Sequence, residues 1–456
     1  MENKHSQKIM YAAAASSLHG KISSYFLDVE TRVGDYSYQT YVKTKFANSG
    51  TVCVVSTTKE GVSKKKYITV DYSKDYLINL EYKTIIYGDI VELSYIDAFT
   101  MSPDLTKINT DNLPNLNSLY LASPKLYAYV NVSKNAMLQE LGVIWSKTDQ
   151  SELDLSNNTE LSMLDIRRLP LTKLDLSKNK HLKSLRVEGT NITTLNVDGF
   201  SMLQKLTVSN INTLTKLECA KTAIQELDVT SLPSLKELDC GNTNIKALDV
   251  SKNTELTKLR CEYTGVSTLD TSANTKLKEL YCHHASLQNI VLPYTASADN
   301  TTLQTINVSD NQITSLEVYG YRGLKKLNCS NNKLTELNVG KNVALQELIC
   351  SDNGLVTLDC GALEKLVRVE CTNNKLTTLD ILNTIAIQTL LVASSKAVAN
   401  NLANITCSNT SEAAYNDLNS SFDYFAATGT LTTDNTDASA TLRATATAKG
   451  WTVVTE

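Results

Sequence analysis

The chain has 456 residues, with 44 Lys and Arg residues against 48 Asp and Glu residues, so its formal net charge is −4. This slightly acidic balance lacks the basic stripe expected of a nucleic-acid-binding protein. No stretch approaches the roughly 18 consecutive apolar residues of a transmembrane helix. We therefore expect no nucleic-acid partner and no transmembrane segment, in a chain long enough for two or three structural units.

Residues 1–24 are predicted to form an N-terminal tail or helix. Residues 1–8 are polar, and residues 9–18 are mostly Ala and Ser, which makes a poor apolar core for a signal peptide. We expect an exposed tail that anchors the chain or docks on a partner. Cleavage of this segment as a signal peptide stays open as the alternative.

Residues 25–100 are predicted to form a small β domain that caps the repeats. Short segments rich in β-branched or aromatic residues, separated by polar turns, are typical of strands. Four such segments are residues 51–56, 66–72, 76–80 and 84–87. The lysines at 64–66 are interpreted as part of a solvated hairpin turn.

Residues 101–393 are dominated by an internal repeat of 21 residues. Each copy of the pattern Leu-x-x-Leu-x-Cys ends at one cysteine. These cysteines form two runs with a spacing of 21 residues, Cys219, Cys240, Cys261 and Cys282, then Cys329, Cys350 and Cys371. Val308 takes the same place between the runs, after a five-residue insertion around 293–302. A second apolar pair follows about ten residues later, as in Leu248 and Val250. The register slips once, because only 11 residues separate Val208 from Cys219.

This repeat predicts a solenoid of about twelve turns. Alternate side chains of an extended segment face opposite sides, so Leu and Cys point inward and the residue between them points outward. One turn cannot bury its apolar side alone, but stacked parallel turns share a continuous core. Asparagines in the bends are expected to satisfy turn backbone groups. They are Asn158, Asn179, Asn253, Asn274, Asn311, Asn332, Asn353 and Asn374.

The repeat Leu-x-x-Leu-x-Cys-x-x-Asn-x-Leu-x-x-Leu-Asp-Val resembles the short, 21-residue class of bacterial leucine-rich repeats, with nested halves of 10 and 11 residues. Such repeats occur in surface proteins of gut Bacteroidales and are internalin-like in style. Residues 85–93 resemble the segment that precedes the repeats in those proteins. The resemblance implies a β-rich leucine-rich-repeat solenoid that is extracellular, on a bacterial cell surface or secreted, and that binds a protein or glycan.

Residues 394–456 lose the period and are predicted to form an α+β cap at the C-terminal end of the repeats. Ser411 is a plausible N-cap for a helix from Glu412. A second helix is expected over 438–449, ended by Gly450, and a strand over 451–455.

The chain offers little for catalysis. The cysteines lack the Cys-x-x-Cys spacing of metal sites and the geometry of disulfides, so they are interpreted as core residues. His283 and His284 are the only histidines beside a cysteine, and no histidine accompanies a nucleophile and an acid. We predict no catalytic residue, no bound metal and no cofactor.

An acidic ladder leaves two interpretations open. Its members take the outward place in the second apolar pair and are Asp154, Asp175, Asp228, Asp249, Asp270, Asp359 and Asp380. Each carboxylate could cap its own turn. Stacked carboxylates could alternatively attract Ca²⁺.

Two features of the sequence predict the binding surface. The outward residue of the first strand differs from turn to turn, although the repeat pattern is constant. Tyrosines are also concentrated around the insertion. Because Tyr263 and His284 are 21 residues apart, we expect their rings to stack on successive turns. Exposed Tyr and Arg are enriched at binding hot spots. The predicted ligand-binding residues are Asp239, Arg260, Tyr263, Tyr281, His283, His284, Tyr294, Asn307, Tyr319 and Tyr321.

The function favoured by these observations is a non-enzymatic recognition or adhesion module that binds a protein or glycan through the solenoid surface. A virion protein of a phage, either structural or receptor-binding, is the first alternative, because such a protein needs no signal peptide. An enzyme is the second alternative, and no set of residues argues for it.

Overall fold

A computed structural model of the protein describes residues 26–32, 40–57, 61–80, 83–87, 90–96, 104–146, 148–293, 301–361, 363–392, 402–407, 410–422, 425 and 428–455. The predicted tail at 1–24 lies outside the described residues, and so does Tyr294. The chain divides into two compact units, Met1–Leu214 and Thr215–Glu456. The boundary between the units falls within the 11-residue spacing at which the register slips.

The first unit starts with seven strands, whose mutual pairings are antiparallel. They are β1 (Phe26–Arg32), β2 (Thr40–Phe46), β3 (Gly50–Thr57), β4 (Ser63–Val70), β5 (Tyr76–Leu80), β6 (Lys83–Tyr87) and β7 (Ile90–Ile96). The four predicted strand segments are confirmed. The prediction that Lys64, Lys65 and Lys66 lie in a turn is wrong, because they belong to β4 at an edge of the sheet. Exposed lysines are typical of edge strands, where they oppose pairing with another chain.

The repeats of the first unit stack in parallel. The remaining strands are β8 (Asp104–Asn109), β9 (Ser118–Leu126), β10 (Glu140–Ser146), β11 (Met163–Arg167), β12 (Ser184–Glu188), β13 (Thr194–Asn196) and β14 (Lys205–Ser209). β8 pairs with β1, whereas β7 and β9 are parallel neighbours with Leu93 opposite Leu119. From β9 the parallel order continues through β10, β11, β12 and β14. The last strand of the antiparallel group therefore shares the register of the repeats.

The first strands of the turns in the second unit form one parallel sheet. In sheet order they are β15 (Lys216–Glu218), β16 (Glu237–Asp239), β17 (Lys258–Arg260), β19 (Glu279–Tyr281), β21 (Thr305–Asn307), β22 (Lys326–Asn328), β23 (Glu347–Ile349), β25 (Arg368–Glu370) and β27 (Thr389–Leu391). Asn307 lies opposite Tyr281, so the insertion leaves the register intact, as the place of Val308 predicts. The predicted leucine-rich-repeat solenoid fold, with parallel stacked turns, is confirmed.

Short strands also form in the second half of some turns. They are β18 (Thr268–Asp270), β20 (Asn289–Val291), β24 (Thr357–Asp359) and β26 (Thr378–Asp380). In the turn of β18, Asp270 Oδ1 accepts a hydrogen bond of 2.8 Å from the backbone N–H of Ser272. The other six aspartates of the acidic ladder likewise accept from the backbone two residues further on. The capping interpretation of the ladder is confirmed.

The core consists of the inward leucines and cysteines. All ten cysteines are free and buried, as expected for core packing. Burial raises the pKa of the Cys329 and Cys371 thiols to about 12. Since a thiol with so high a pKa stays protonated at neutral pH, these side chains pack as small apolar groups.

The bend asparagines bond to turn backbone as predicted, but they form two different ladders. Asn253, in the bend after the second strand, donates from Nδ2 to the carbonyls of Val229 and Leu232 in the preceding turn. Asn353, in the bend after the first strand, donates to the carbonyls of Cys329, Cys350 and Ser351. Its Oδ1 also accepts from the Leu334 N–H. In both ladders the amide satisfies backbone groups that neighbouring strands leave unpaired.

The C-terminal part adds two helices to the parallel arrangement. Its elements are β28 (Asn404–Thr406), α1 (Glu412–Ser421), β29 (Thr430–Thr433), α2 (Asp437–Ala448) and β30 (Thr452–Thr455). Ser411 caps α1 by accepting from the Ala414 N–H, as predicted. Gly450 follows α2 at φ +84°. In the described part of the chain, no helix has the length and apolar character needed to cross a membrane.

Candidate functional site

The outward residues of neighbouring first strands lie side by side in the second unit. Arg260 lies opposite Tyr281, and its guanidinium carbon is 4.6 Å from the centroid of the tyrosine ring, which is a cation–π contact. Asp239 and Asn307 each accept a hydrogen bond of 3.2 Å from the backbone N–H two residues further on. These two predicted ligand-binding residues therefore help to hold their bends as well as facing outward.

In the second unit, the bend after the first strand of each described turn places a residue in the left-handed region, and two of these residues are aromatic. Tyr263 has φ 53° and His284 has φ 52°, whereas the corresponding residues in most other turns are Asn or Asp. Asn and Asp tolerate this region better than bulky residues, for which it is uncommon. The Tyr263 ring stacks on the His284 imidazole, with centroids 4.6 Å apart and planes 16° apart. The predicted stacking is confirmed, and His284 Nε2 also lies 3.3 Å from Asp310 Oδ2.

The residue directly after the cysteine position departs from the repeat in the same two turns. In the other turns of the second unit it is small: Ala220, Gly241, Ser309, Ser330, Ser351 and Thr372. In the turns of β17 and β19 it is Glu262 and His283. Glu262 is only 8% exposed, and its Oε2 has no hydrogen-bond partner. His283 Nδ1 is buried without a partner as well.

Local electrostatics differ between these two residues. Arg260 Nη1 lies 3.6 Å from Glu262 Oε1, so the guanidinium faces one oxygen of the carboxylate. Burial lowers the pKa of His283, although the charge of Glu262 opposes this shift. The His283 ring meets the edge of Tyr263 at 5.3 Å. His283 therefore lies against the Tyr263 ring with its charged form disfavoured by burial, and Glu262 directly precedes that tyrosine in the chain.

We define the tyrosine–histidine cluster as Arg260, Glu262, Tyr263, Tyr281, His283 and His284. Sequence reasoning predicted five of these residues and missed Glu262, as well as the neighbouring Asp310. A comparison of the residue after the cysteine across the turns of the second unit would have revealed Glu262, because that place is otherwise small there. Among the described residues, no group of three or more His, Cys, Asp or Glu is arranged to hold a metal ion.

Among the described residues, two of the predicted tyrosines lie outside the cluster. Tyr321 is buried, at 9% exposure, and its hydroxyl donates a hydrogen bond of 2.8 Å to the Pro293 carbonyl. Burial raises its pKa to about 12. The prediction that Tyr321 belongs to a binding surface is wrong, because its ring packs into the core beside the insertion. Tyr319 is exposed, but it follows the second apolar pair of its turn, Leu316 and Val318, and not the first strand.

A shallow charged groove adjoins the cluster at Arg260. It has a volume of about 220 Å³, and its charged lining residues are Lys216, Glu218, Glu237, Asp239, Lys258 and Arg260. Ion pairs cross the strands here, with Lys216 3.7 Å from Glu237 and Lys258 3.0 Å from Glu279. The face therefore presents both signs of charge in an ordered array, which suits a polar partner surface of matching pattern.

No protein-family model matches this chain, and no curated protein matches it. Among solved structures, the functional domain of InlJ from Listeria monocytogenes, which includes a cysteine ladder, is 23% identical; 66% of this chain and 72% of that chain are covered, with a TM-score of 0.30. YopM from Yersinia enterocolitica WA-314 is 20% identical, with 70% of this chain and 74% of that chain covered and a TM-score of 0.37. An internalin, InlF, from Listeria monocytogenes is 18% identical, with coverages of 68% and 91% and a TM-score of 0.27. Likeness at this level assigns no function to this chain, and its fold is established by its own strand registers.

Proposed function

We propose that this protein is a non-enzymatic recognition module that binds a protein partner through the outward strand residues and the tyrosine–histidine cluster. One observation carries the proposal. In two adjacent turns, the repeat of the second unit, which otherwise uses mostly small and turn-favouring residues at these two places, carries Glu262, Tyr263, His283 and His284. Departures from a local rule that cost stability are expected where a protein has a function to serve.

The composition of this surface favours a protein as the partner. Tyr263 is 49% exposed, and Tyr281 and Arg260 are partly exposed beside it. Tyrosine and arginine are the residue types that most often dominate binding energy at protein interfaces. The charged groove beside them would supply the polar rim that usually surrounds such a centre.

We also propose that the protein acts outside a bacterial cell, as the resemblance of its repeat implies. Cell-surface proteolysis and fractionation of the source organism, with mass spectrometry of phage particles, test this location. Release of the protein from intact cells is the expected result. Recovery of the protein in purified phage particles would contradict a cell-surface location and favour the virion alternative.

A selection experiment tests the binding role. Purified protein is used to select from a displayed peptide library, and each enriched peptide is then titrated against the wild type and against a variant with Tyr263→Ala and Tyr281→Ala. We expect affinity to fall about tenfold or more, which is about 1.4 kcal/mol, with little change in melting temperature. The matched control is Tyr127→Ala with Tyr129→Ala, which removes two exposed tyrosines of the first unit. Equal affinity of the cluster variant and the wild type for every enriched peptide would refute the proposal.

A further inference from the structure

The two oxygens of the Glu262 carboxylate have different surroundings. Oε1 faces Arg260, with Nη1 at 3.6 Å, while Oε2 is buried without any hydrogen-bond partner. An ionised carboxylate can only accept hydrogen bonds. A buried acceptor left unpaired destabilises the fold, and more so when it is charged. Oε2 is therefore a strong acceptor that lacks a donor from the described residues.

His283 supplies a second acceptor on the same side. Its Nδ1 is buried without a partner, and the side chain lies against Tyr263 and within the field of Glu262, Asp310 and Arg260. In the neutral imidazole with its proton on Nε2, Nδ1 accepts a hydrogen bond. Two acceptors thus lie in neighbouring turns, 21 residues apart in the chain.

Charge and ring geometry point to a planar cation as the donor. Glu262 and Asp310 carry two negative charges against one positive charge on Arg260, so the immediate surroundings are net negative. Arg260 already shows how a guanidinium fits here, with a carboxylate oxygen on one side and the Tyr281 ring at 4.6 Å. One residue further along the chain, Glu262 Oε2 is an unpartnered carboxylate oxygen and Tyr263 is a half-exposed ring, so the two kinds of group that contact Arg260 occur here again. A guanidinium is suited to such sites, because it presents several N–H donors in one plane and stacks on aromatic rings.

We propose that the tyrosine–histidine cluster binds an arginine side chain of the partner protein. Its N–H groups donate to Glu262 Oε2 and His283 Nδ1, and its plane packs against the ring of Tyr263. Entry requires the Tyr263 ring to swing away from the edge contact with His283 and from its stack on His284, for which its half-exposed position leaves room. The assignment rests on the proposed binding function and names the chemistry that this part of the surface recognises.

The test uses proton NMR of the full-length protein, with N-acetyl-arginine amide as the probe. The chain has five histidines, so the imidazole Hε1 signals of His283 and His284 can be assigned with single His→Asn variants. We expect a saturable shift of the His283 signal, and a response at least about tenfold weaker for N-acetyl-citrulline amide, which has the same shape without the charge. Glu262→Gln should weaken the arginine response about tenfold or more, while the control Glu255→Gln, which removes an exposed ion pair with Lys276, should not.

Three results would overturn the assignment. The first is no saturable shift with the arginine probe. The second is an equal response to the citrulline probe, which would show that charge is not recognised, and this comparison needs only the wild type. The third is a stronger response to methyl glucoside, which would indicate a hydroxyl ligand and hence a glycan. Peptides that bind the cluster without any arginine would refute this assignment and leave the proposed binding function standing, so the two failures are distinguishable.

Discussion

Glu262 lies directly over Gly241 of the preceding turn. A Cβ added to Gly241 would come within 3.0 Å of Glu262 Cδ and within 3.2 Å of its Oε1. The conformation of the buried carboxylate therefore depends on the absence of a side chain one turn away. The cluster is built from the pairing of particular turns, and not from any one turn alone.

This pairing predicts a measurable coupling between the two residues. Gly241→Ala should lower the free energy of unfolding by about 1–2 kcal/mol, because a well-packed site must shift to accept the methyl group. The cost should shrink in a Glu262→Ala background, where Cδ and Oε1 are gone and only the Glu262 backbone oxygen, at 3.2 Å, remains close to the added methyl group. Urea unfolding of the four proteins of the double-mutant cycle measures both values. The same cost in both backgrounds would show that Glu262 does not occupy the space above Gly241.

The bend asparagines should be among the most sensitive positions in the second unit. Asn353→Ala removes three donated bonds and one accepted bond, and it leaves backbone groups unpaired. We expect a loss of about 2–4 kcal/mol in the free energy of unfolding. Asn244→Ala is the matched control, because Asn244 is exposed, and it should change stability by less than about 0.5 kcal/mol. Similar losses for both variants would contradict the proposed role of the asparagine ladder.

The cysteines should resist modification in the folded protein. Burial raises the pKa of the Cys329 and Cys371 thiols to about 12, and only the thiolate reacts with alkylating reagents. Treatment with iodoacetamide at about pH 8, followed by mass spectrometry, should leave both residues unmodified until denaturant is added. Rapid labelling in the native state would show that these thiols are accessible or ionised.

The aspartate caps should make stability depend on pH under acidic conditions. Hydrogen bonds from the backbone and hydroxyl of Ser251 lower the pKa of Asp249. A carboxylate with a lowered folded-state pKa stabilises the fold above its unfolded value, near pH 4, and loses that contribution as the pH falls through the folded value. Asn196 and Asn338 already make the equivalent bond in other turns. Asp249→Asn should therefore leave the melting temperature near pH 7 almost unchanged and reduce its decline toward about pH 3. Asp198→Asn, at an exposed position that caps no bend through its side chain, serves as the control. An identical decline in melting temperature for Asp249→Asn and the wild type would contradict the capping role of Asp249.

The repeat fold could be predicted because one spacing accounts for most of the chain. A 21-residue interval places Leu259 beside Leu280, and the same interval predicts the stacking of Tyr263 on His284. Because Val308 lies 21 residues before Cys329 but 26 residues after Cys282, the same interval also predicts where the five-residue insertion lies. Periodicity fixes which residues are neighbours in successive turns, and so it predicts the strand register and the ring stacking that follows from that register.

The parts that could not be predicted depend on how individual side chains fill space. Tyr321 looks like an exposed tyrosine in the sequence, but its ring packs inward and bonds to the Pro293 carbonyl across 28 residues. Glu262 looks like an ordinary surface acid, and its burial depends on Gly241 lying beneath it. The lysines of β4 resemble a turn because charge alone does not distinguish an edge strand from a loop.

We propose that the protein binds its partner through adjoining first strands and bends of the β17 and β19 turns. Hydrogen–deuterium exchange, with and without a peptide obtained from the selection, tests this proposal. Protection on binding should be concentrated in residues 258–263 and 279–284. Protection confined to the second bends of the turns, or to the first unit, would contradict it and place the binding surface elsewhere on the molecule.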